Sequence, residues 1–586
     1  MQIPTLVGLL LGSTAQVAAQ FSYPNLPVDF LRTSAPVTPL PNGAPWGPRN
    51  VMNTNAYDDP PKTGVIRTYD FTIARKNLAP DGFTREFLVI NGQFPGPLIE
   101  ANWGDTIQVT VHNQLSNPEE GTALHWHGIL QKTSQWMDGV PAISQCPIPP
   151  GSTFTYTFTA DLYGSSWYHS HYSAQYAGGI VGPMIIHGPD DNKCDIDLGP
   201  VLITDHYHEE YFKLVEMVIS KDLDAIRHKS DNNLINGKNN FDCSSTNRTN
   251  PCRNNAGISS FKFTPGKTHK LRLINAGAEA LQKFSIDGHT MTVISNDFVP
   301  LKPYNTKVVT LHVGQRTDVL VHARKHETGS FNMRATIANC SLTLNPNALA
   351  TVYYGRTRPR NPPTTTPWPE FLDSVLNQCA NDDLSLTVPK YPIRPAPVPA
   401  FTQDVAVNFG PNATGFLLWS LNGVSFRANY NNPILLLSNL GNNSYPDDPE
   451  WNVYNFGSNS SVRFVIVNPK IAAHPIHLHG HNMFVLAAGK GTWDGTITHP
   501  NNPLRRDVHI LPGFGYLVIQ MKSDNPGAWP LHCHIAWHVS SGLYLTVLER
   551  PDDIKNLQVP AIMAQTCRDW SAYTGNHIVE QIDSGL

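Results

Sequence analysis

The segments DTIQVTVHNQL, STFTYTFTA, HKLRLINAG, TKVVTLHVG, SVRFVIVN and GYLVIQM are short runs of β-branched and aromatic residues, and clusters of Gly, Pro, Asn and Asp separate them. Such runs read as strands between tight turns, which suits antiparallel sandwiches better than βαβ units. The 49 prolines push the same way, because proline breaks helices and central strands alike. An all-β chain is expected, with short helices only around Pro369 to Gln378 and Glu209 to Lys221. At 586 residues it is too long for a single core. Three strand-rich blocks emerge, at 60–194, 195–357 and 401–550. A proline-rich linker, 358–400, carries RTRPRNPPTTTPWPE and VPKYPIRPAPVPA. An extended N-terminal stretch, 20–59, and a C-terminal tail, 551–586, complete the chain.

The formal net charge of −4 provides no positive excess for nucleic acid or anionic lipid, so neither partner is expected. The opening MQIPTLVGLLLGSTAQVAAQ has an apolar run and a small-residue site ending at Ala19, as in a signal peptide spanning 1–19, although no Lys or Arg precedes the run. No other segment is apolar enough to cross a membrane. A secreted, extracellular protein is expected, with N-glycans possible at Asn247, Asn339, Asn412, Asn442 and Asn459. Eight cysteines fit an oxidising compartment with a few disulfides.

Histidine placement carries the chemistry. The 24 histidines would give about one His-x-His by composition, yet there are six: His125/His127, His169/His171, His206/His208, His477/His479, His479/His481 and His532/His534. HWHG and WYHSH lie in the first block, HPIHLHGH and HCHIAWH in the third. TDHYH in the middle block has no companion motif and is expected to be a surface or packing pair. On a strand, residues i and i+2 face the same way about 6.6 Å apart, so each pair can serve two neighbouring metal ions. Four pairs supply eight imidazoles for a cluster shared between blocks one and three.

His474, Cys533 and His538 remain, and two imidazoles with a thiolate form the trigonal set of a blue-copper site. Cys533 lies between His532 and His534 on an extended segment, so its sulfur points away from theirs. Zinc would also accept Cys and His, but not eight paired imidazoles from distant segments.

These four motifs, in this order, resemble those of the multicopper oxidases, and HCHIAWHVSSGL looks most like fungal laccases of the ascomycete type. Supporting stretches include INGQFPGPLIEANWGD, WMDGVPAISQCPIPPG, FSIDGHTMTVISND and DNPGAWPLHCHIAWH. The resemblance implies three cupredoxin-like Greek-key β-sandwich domains and four copper ions. Type 1 copper would take His474, Cys533 and His538, with Leu543 at the axial position as a residue without a donor atom. Type 2 would take His125 and His477. The type 3 pair would take His127, His169 and His534 on one ion, and His171, His479 and His532 on the other.

By the same matching, Glu279 is a pocket carboxylate able to accept a phenol's proton, and Asp138 a carboxylate near the cluster that could help deliver protons. Trp419 and Trp537 line the pocket beside His538. Leu417, Lys470 and Ala472 depart from the family's more apolar or aromatic residues, which would suit an acidic phenolic substrate. The terminal DSGL, Asp583 to Leu586, resembles the ascomycete plug. The implied disulfides are Cys146–Cys567, Cys340–Cys379 and Cys243–Cys252, leaving Cys194 over.

The implied activity is that of a secreted laccase, oxidising phenols by one electron each and reducing O2 to water. Alternatives are a biosynthetic phenol-coupling oxidase of a pigment or polyketide pathway and a ferroxidase, for which Glu279 alone offers thin acidic support. A copper-storage protein is a further alternative, and the completeness of the ligand set argues against it.

Overall fold

A computed structural model describes residue 40 and residues 43–586, except 358, 360, 370–372, 444–448, 578 and 580–581. The expected signal segment and most of the N-terminal stretch lie outside the described residues.

The period-2 patterns become half-buried strands. Thr106–Asn113 alternates intermediate and buried residues along its whole length, and Ser461–Asn468 nearly does so. Six sheets form three sandwiches of two sheets each. The first pairs two four-stranded sheets; the second and third each pair a six-stranded with a five-stranded sheet. Antiparallel pairing dominates, but each sheet also holds one parallel pair. Ile66–Leu78 beside Thr106–Asn113, Ile196–His206 beside Thr268–Asn275 and Phe401–Pro411 beside Ser461–Asn468 are equivalent pairs, one per sandwich. That recurrence is the cupredoxin-like Greek-key topology, repeated three times.

Helices are few among the described residues. The expected helix near Glu209 is Tyr211–Val218, followed by the single turn Leu223–Ile226. Of the one near Pro369, Asp373–Leu376 is described as helix, and residues 370–372 of its expected span lie outside the described residues. Ala561–Thr574 is a 14-residue helix in what the sequence presents as a tail. Its ends are punctuated, by Pro560 before it and by Gly575 in the left-handed region at φ 61° after it. The Cys146–Cys567 disulfide fastens this helix to the first sandwich; Cys243–Cys252 and Cys340–Cys379 are also bonded, and Cys194 is free and exposed.

Two glycines allow the close approaches on which the metal-binding motifs depend. At Gly128 of HWHG, φ +82°, a Cβ would sit 2.5 Å from Asp507 Oδ2 and 2.6 Å from an Arg316 nitrogen. At Gly139 of WMDG, also φ +82°, it would sit 1.7 Å from the Leu124 carbonyl. Only glycine lets Asp507 reach His127, and lets the Asp138 turn reach the strand bearing His125.

Candidate metal centre

Strand register brings the histidines together. His125 in Leu124–Trp126 sits opposite His169 in Gly164–Ser170. In the third sandwich His477 sits opposite His532, and Ile476 opposite Cys533. Alternation then sends His477, His532 and His534 to one face and His474 and Cys533 to the other. A short helix, Ala536–Ser540, turns His538 back onto that second face.

Eight imidazoles from the first and third sandwiches make one buried cluster. Each set His125–His477–His479, His125–His127–His169 and His171–His479–His532 has donor atoms within 4.8 Å of one another. His534 Nε2 lies 3.2 Å from His127 Nδ1, and His479 Nε2 lies 3.2 Å from His532 Nε2. Ligand atoms around one tetrahedral ion stand about 3.3 Å apart, so these spacings suit shared metals.

Six of the eight rings have one nitrogen fixed by a carbonyl or carboxylate, among them His532, whose Nδ1 meets the Cys533 carbonyl at 2.8 Å. His125 Nδ1 bonds the Asp138 carbonyl at 2.8 Å, His477 Nδ1 the Asp507 carbonyl at 2.9 Å, and His169 Nδ1 the Ser170 carbonyl at 2.9 Å. His479 Nδ1 meets Asp138 Oδ2 at 2.9 Å, and His127 Nε2 meets Asp507 Oδ1 at 3.0 Å. The opposite nitrogens of His125, His169 and His477, and both of His171, are buried without a hydrogen-bond partner. Buried imidazole nitrogens rarely go unpaired, so these fit metal ligation. Burial first, and neighbouring imidazoles second, hold His171, His477, His479 and His534 well below the usual histidine range, which leaves neutral rings ready to ligate.

The second group is smaller. Cys533 Sγ lies 3.5 Å from His474 Nδ1 and 3.6 Å from His538 Nδ1, and those two nitrogens are 3.1 Å apart. Burial pushes the thiol pKa up, so only a bound metal would make the thiolate stable here. Cys533 N–H donates to the Leu543 carbonyl, and the Leu543 side chain is fully buried and brings no donor atom. His474 and Cys533 are buried while His538 is partly exposed. The Trp419 ring packs against both imidazoles, with centroids 4.7 Å from His474 and 4.6 Å from His538.

The loop holding Glu279 meets this group. Ala536 N–H donates to the Ala278 carbonyl at 2.8 Å. Asp205 fixes the loop by accepting backbone N–H bonds from Ala278, Glu279 and Ala280. Tyr207 hydroxyl joins Glu279 Oε2 at 3.3 Å to the Trp537 indole N–H at 3.2 Å. Desolvation, with the Asp205 charge adding to it, pushes the Glu279 carboxyl up to about 8. Leu417 begins the strand that carries Trp419, and Ala472 packs on the core just before His474. Lys470 lies on the same approach to His474, where Phe514 N–H donates to its carbonyl; among the described residues no contact joins its ammonium to Glu279.

The C-terminal residues fold inward. Ser173 Oγ donates to Asp583 Oδ2 at 2.6 Å, and Tyr430 hydroxyl to the Gly585 carbonyl at 2.6 Å. Leu586 is 1% exposed and helps line a cavity of about 10 Å³ with His169, His171, His532 and His534.

Three participants escape sequence reasoning. Asp507 holds His127 through its side chain and His477 through its carbonyl, while Arg316 Nη2 binds its other oxygen at 2.7 Å. His228 packs edge-on to Trp537, ring centroids 5.0 Å apart, with both ring nitrogens buried and unpaired. Tyr207 supplies the bridge to Glu279. Asp507 and His228 are lone residues without local pattern, whereas Tyr207 stands between the two histidines of TDHYH, a motif that does not show what its tyrosine meets. His206 and His208, read as a surface or packing pair, are buried at 2% and 3% exposure beside Asp81, apart from both groups above.

A buried array of imidazoles beside a Cys–His–His set, in three cupredoxin-like sandwiches, defines a copper oxidase. Family models described as multicopper oxidase match residues 72–191, 197–357 and 421–553, and the chain belongs to that family. It is 38% identical to oxidoreductase OpS5 of Beauveria bassiana over 555 residues, 92% of this chain and 91% of that protein. It is 36% identical to laccase-2 of Botryotinia fuckeliana over 550 residues, 92% of each. The crystal structure of a laccase from Botrytis aclada superposes with a TM-score of 0.83 at 35% identity, covering 92% of this chain and 98% of that one.

Proposed function

We propose that the protein is a secreted laccase that oxidises phenols one electron at a time and passes four electrons to O2. The observation that carries this reading is the exposure pattern of the Cys533 set. Of its three residues only His538 is partly exposed, and the aromatic and carboxyl groups of Trp419, Trp537, Tyr207 and Glu279 gather around it. We assign type 1 copper to His474, Cys533 and His538, type 2 to His125 and His477, and the type 3 pair to His127, His169 and His534 and to His171, His479 and His532. Bound copper would supply the redox chemistry, taking one electron from each of four phenols and giving four to O2, which with four protons becomes two waters.

The chain's own groups bind, orient and move protons. Tyr207 and Trp537 offer a flat, half-polar wall to a phenol ring. Ionised Glu279 accepts the phenol's hydrogen bond and takes its proton as the electron leaves. Since burial holds that carboxyl up to about 8, its basic form fills as pH rises towards that value. Asp138 keeps one oxygen on His479 at 2.9 Å and the other 3.3 Å from His125 Nδ1, so it touches two cluster rings, which suits it to carry protons to the cluster. Leu586 closes the end of the cluster cavity, and Asp583 anchors the terminus through Ser173. Cys533 shares a peptide unit with His532 and with His534, so a covalent path of few bonds links the two ligand sets.

Ferroxidation would call for several ionised carboxylates beside His474 and His538, and Glu279 is held protonated over most of the acidic range. On this reading the sandwiches span 60–194, 195–357 and 401–550, and the chain is exported without residues 1–19. Oxygen uptake by the copper-loaded protein tests the proposal. Phenols should drive it and Fe(II) should not; uptake with Fe(II) alone would overturn the assignment.

A further inference from the structure

The Asp81, His206 and His208 side chains lie where the first and second sandwiches touch. Asp81 is on the turn between strands Ile66–Leu78 and Arg85–Ile90, His206 ends the strand Ile196–His206, and His208 follows it. All three are buried, at 0%, 2% and 3% exposure. Their donor atoms fall within 4.8 Å of one another. His208 Nε2 is 2.8 Å from Asp81 Oδ2, and His206 Nε2 is 4.0 Å from Asp81 Oδ1.

A packing role accounts for His208, whose Nε2 has a partner, but not for His206, whose Nε2 is buried with none. The surroundings are those of a ligand set. Phe83 stacks on His208 at 4.0 Å, and Phe87 on His206 at 5.5 Å, which fixes both rings in an apolar shell. The Phe83 N–H donates to Asp81 Oδ1 at 3.1 Å, leaving a lone pair on that oxygen; Oδ2 takes the Asn232 amide at 3.0 Å and His208 Nε2 at 2.8 Å, and frees a lone pair once that imidazole nitrogen turns to an ion. His208 Nδ1 faces Asp231 Oδ1 at 3.8 Å, placed to orient a metal-bound ring from behind. Arg85 is close enough to feel the Asp81 and Asp231 carboxylates, two negative charges against its one.

We propose that Asp81, His206 and His208 bind one divalent cation of the zinc class, which ties the first sandwich to the second. Two imidazoles and a carboxylate are borderline and hard donors that zinc accepts readily. With both carboxylate oxygens engaged, the ion has four protein donor atoms. Bringing His206 Nε2 from 4.0 Å towards the spacing of about 3.3 Å expected around such an ion needs only a small ring movement.

The test uses the full copper-loaded chain without a histidine tag, dialysed against Zn2+ and then against zinc-free buffer, with zinc and copper counted per chain. The wild type is expected to keep one zinc that Asp81→Asn and His206→Gln both lack, with copper content equal in all three. Its melting temperature should climb with zinc concentration, while those of the variants stay flat. If the wild type keeps no zinc, or both variants keep as much as the wild type, the site does not exist. The wild-type measurement stands even if either variant fails to fold.

Discussion

The two ligand groups on either side of Cys533 are built in opposite ways. In the imidazole cluster six of the eight rings have one nitrogen tied to a carbonyl or carboxylate, with Asp138 and Asp507 each reaching two of them. In the Cys533 set the neighbours are apolar or aromatic: Leu543, Trp419 and Trp537 surround three donors, and His538 is left partly open. A polar frame suits a site that must hold several ions in fixed relation and receive protons. An apolar frame with one open edge suits a site that must exchange electrons with a bound organic molecule.

Changes to the open side should affect the donor, and changes to the framed side the cluster. Cys533→Ser should reduce phenol oxidation to background, measured as oxygen uptake, while the eight imidazoles keep their ions. Glu279→Gln should lower kcat/KM for neutral phenols about 10²-fold near pH 8. The wild-type rate should rise as pH climbs from 6 through about 8, because the base is the ionised form of a carboxyl whose pKa is raised to about 8; the variant should lack that limb. A pH profile of kcat/KM for both proteins checks it.

On the framed side, Asp138→Ala leaves His479 Nδ1 without its acceptor. It should cost about 10-fold to 100-fold in copper retention or turnover, read by metal content after dialysis against a chelator. Lys470→Ala should have the smallest effect, under about tenfold, because a partly exposed charge is screened by solvent and interacts weakly. Comparing kcat/KM for a neutral and a carboxylated phenol would show it, and an unchanged preference would dismiss the idea that Lys470 selects acidic substrates.

The same contrast explains what the sequence made legible. Ligands that come as pairs on one strand declare themselves, since His-x-His at six places far exceeds chance and the period-2 geometry gives it meaning. Cys533 could be split from its flanking histidines for the same reason. The frame does not declare itself. Asp507 is one of 46 acidic residues, and it becomes important only because the Gly128 turn and Arg316 bring it to His127. His228 and Tyr207 reach the pocket from the second sandwich, across a contact that no local pattern encodes. TDHYH, read as a surface or packing pair, is buried, and Asp81, which faces both of its histidines, lies more than a hundred residues away in sequence. The Ala561–Thr574 helix had its Pro560 and Gly575 punctuation but little apolar stripe between them.

Copper counting with an optical spectrum, on the wild type and on Cys533→Ser, shows whether the HCHIAWH segment is divided between two metal sites. Four coppers and an intense blue band are expected for the wild type, and three coppers with no blue band for the variant. Loss of all copper together, or a blue band that survives without the thiolate, would contradict that division.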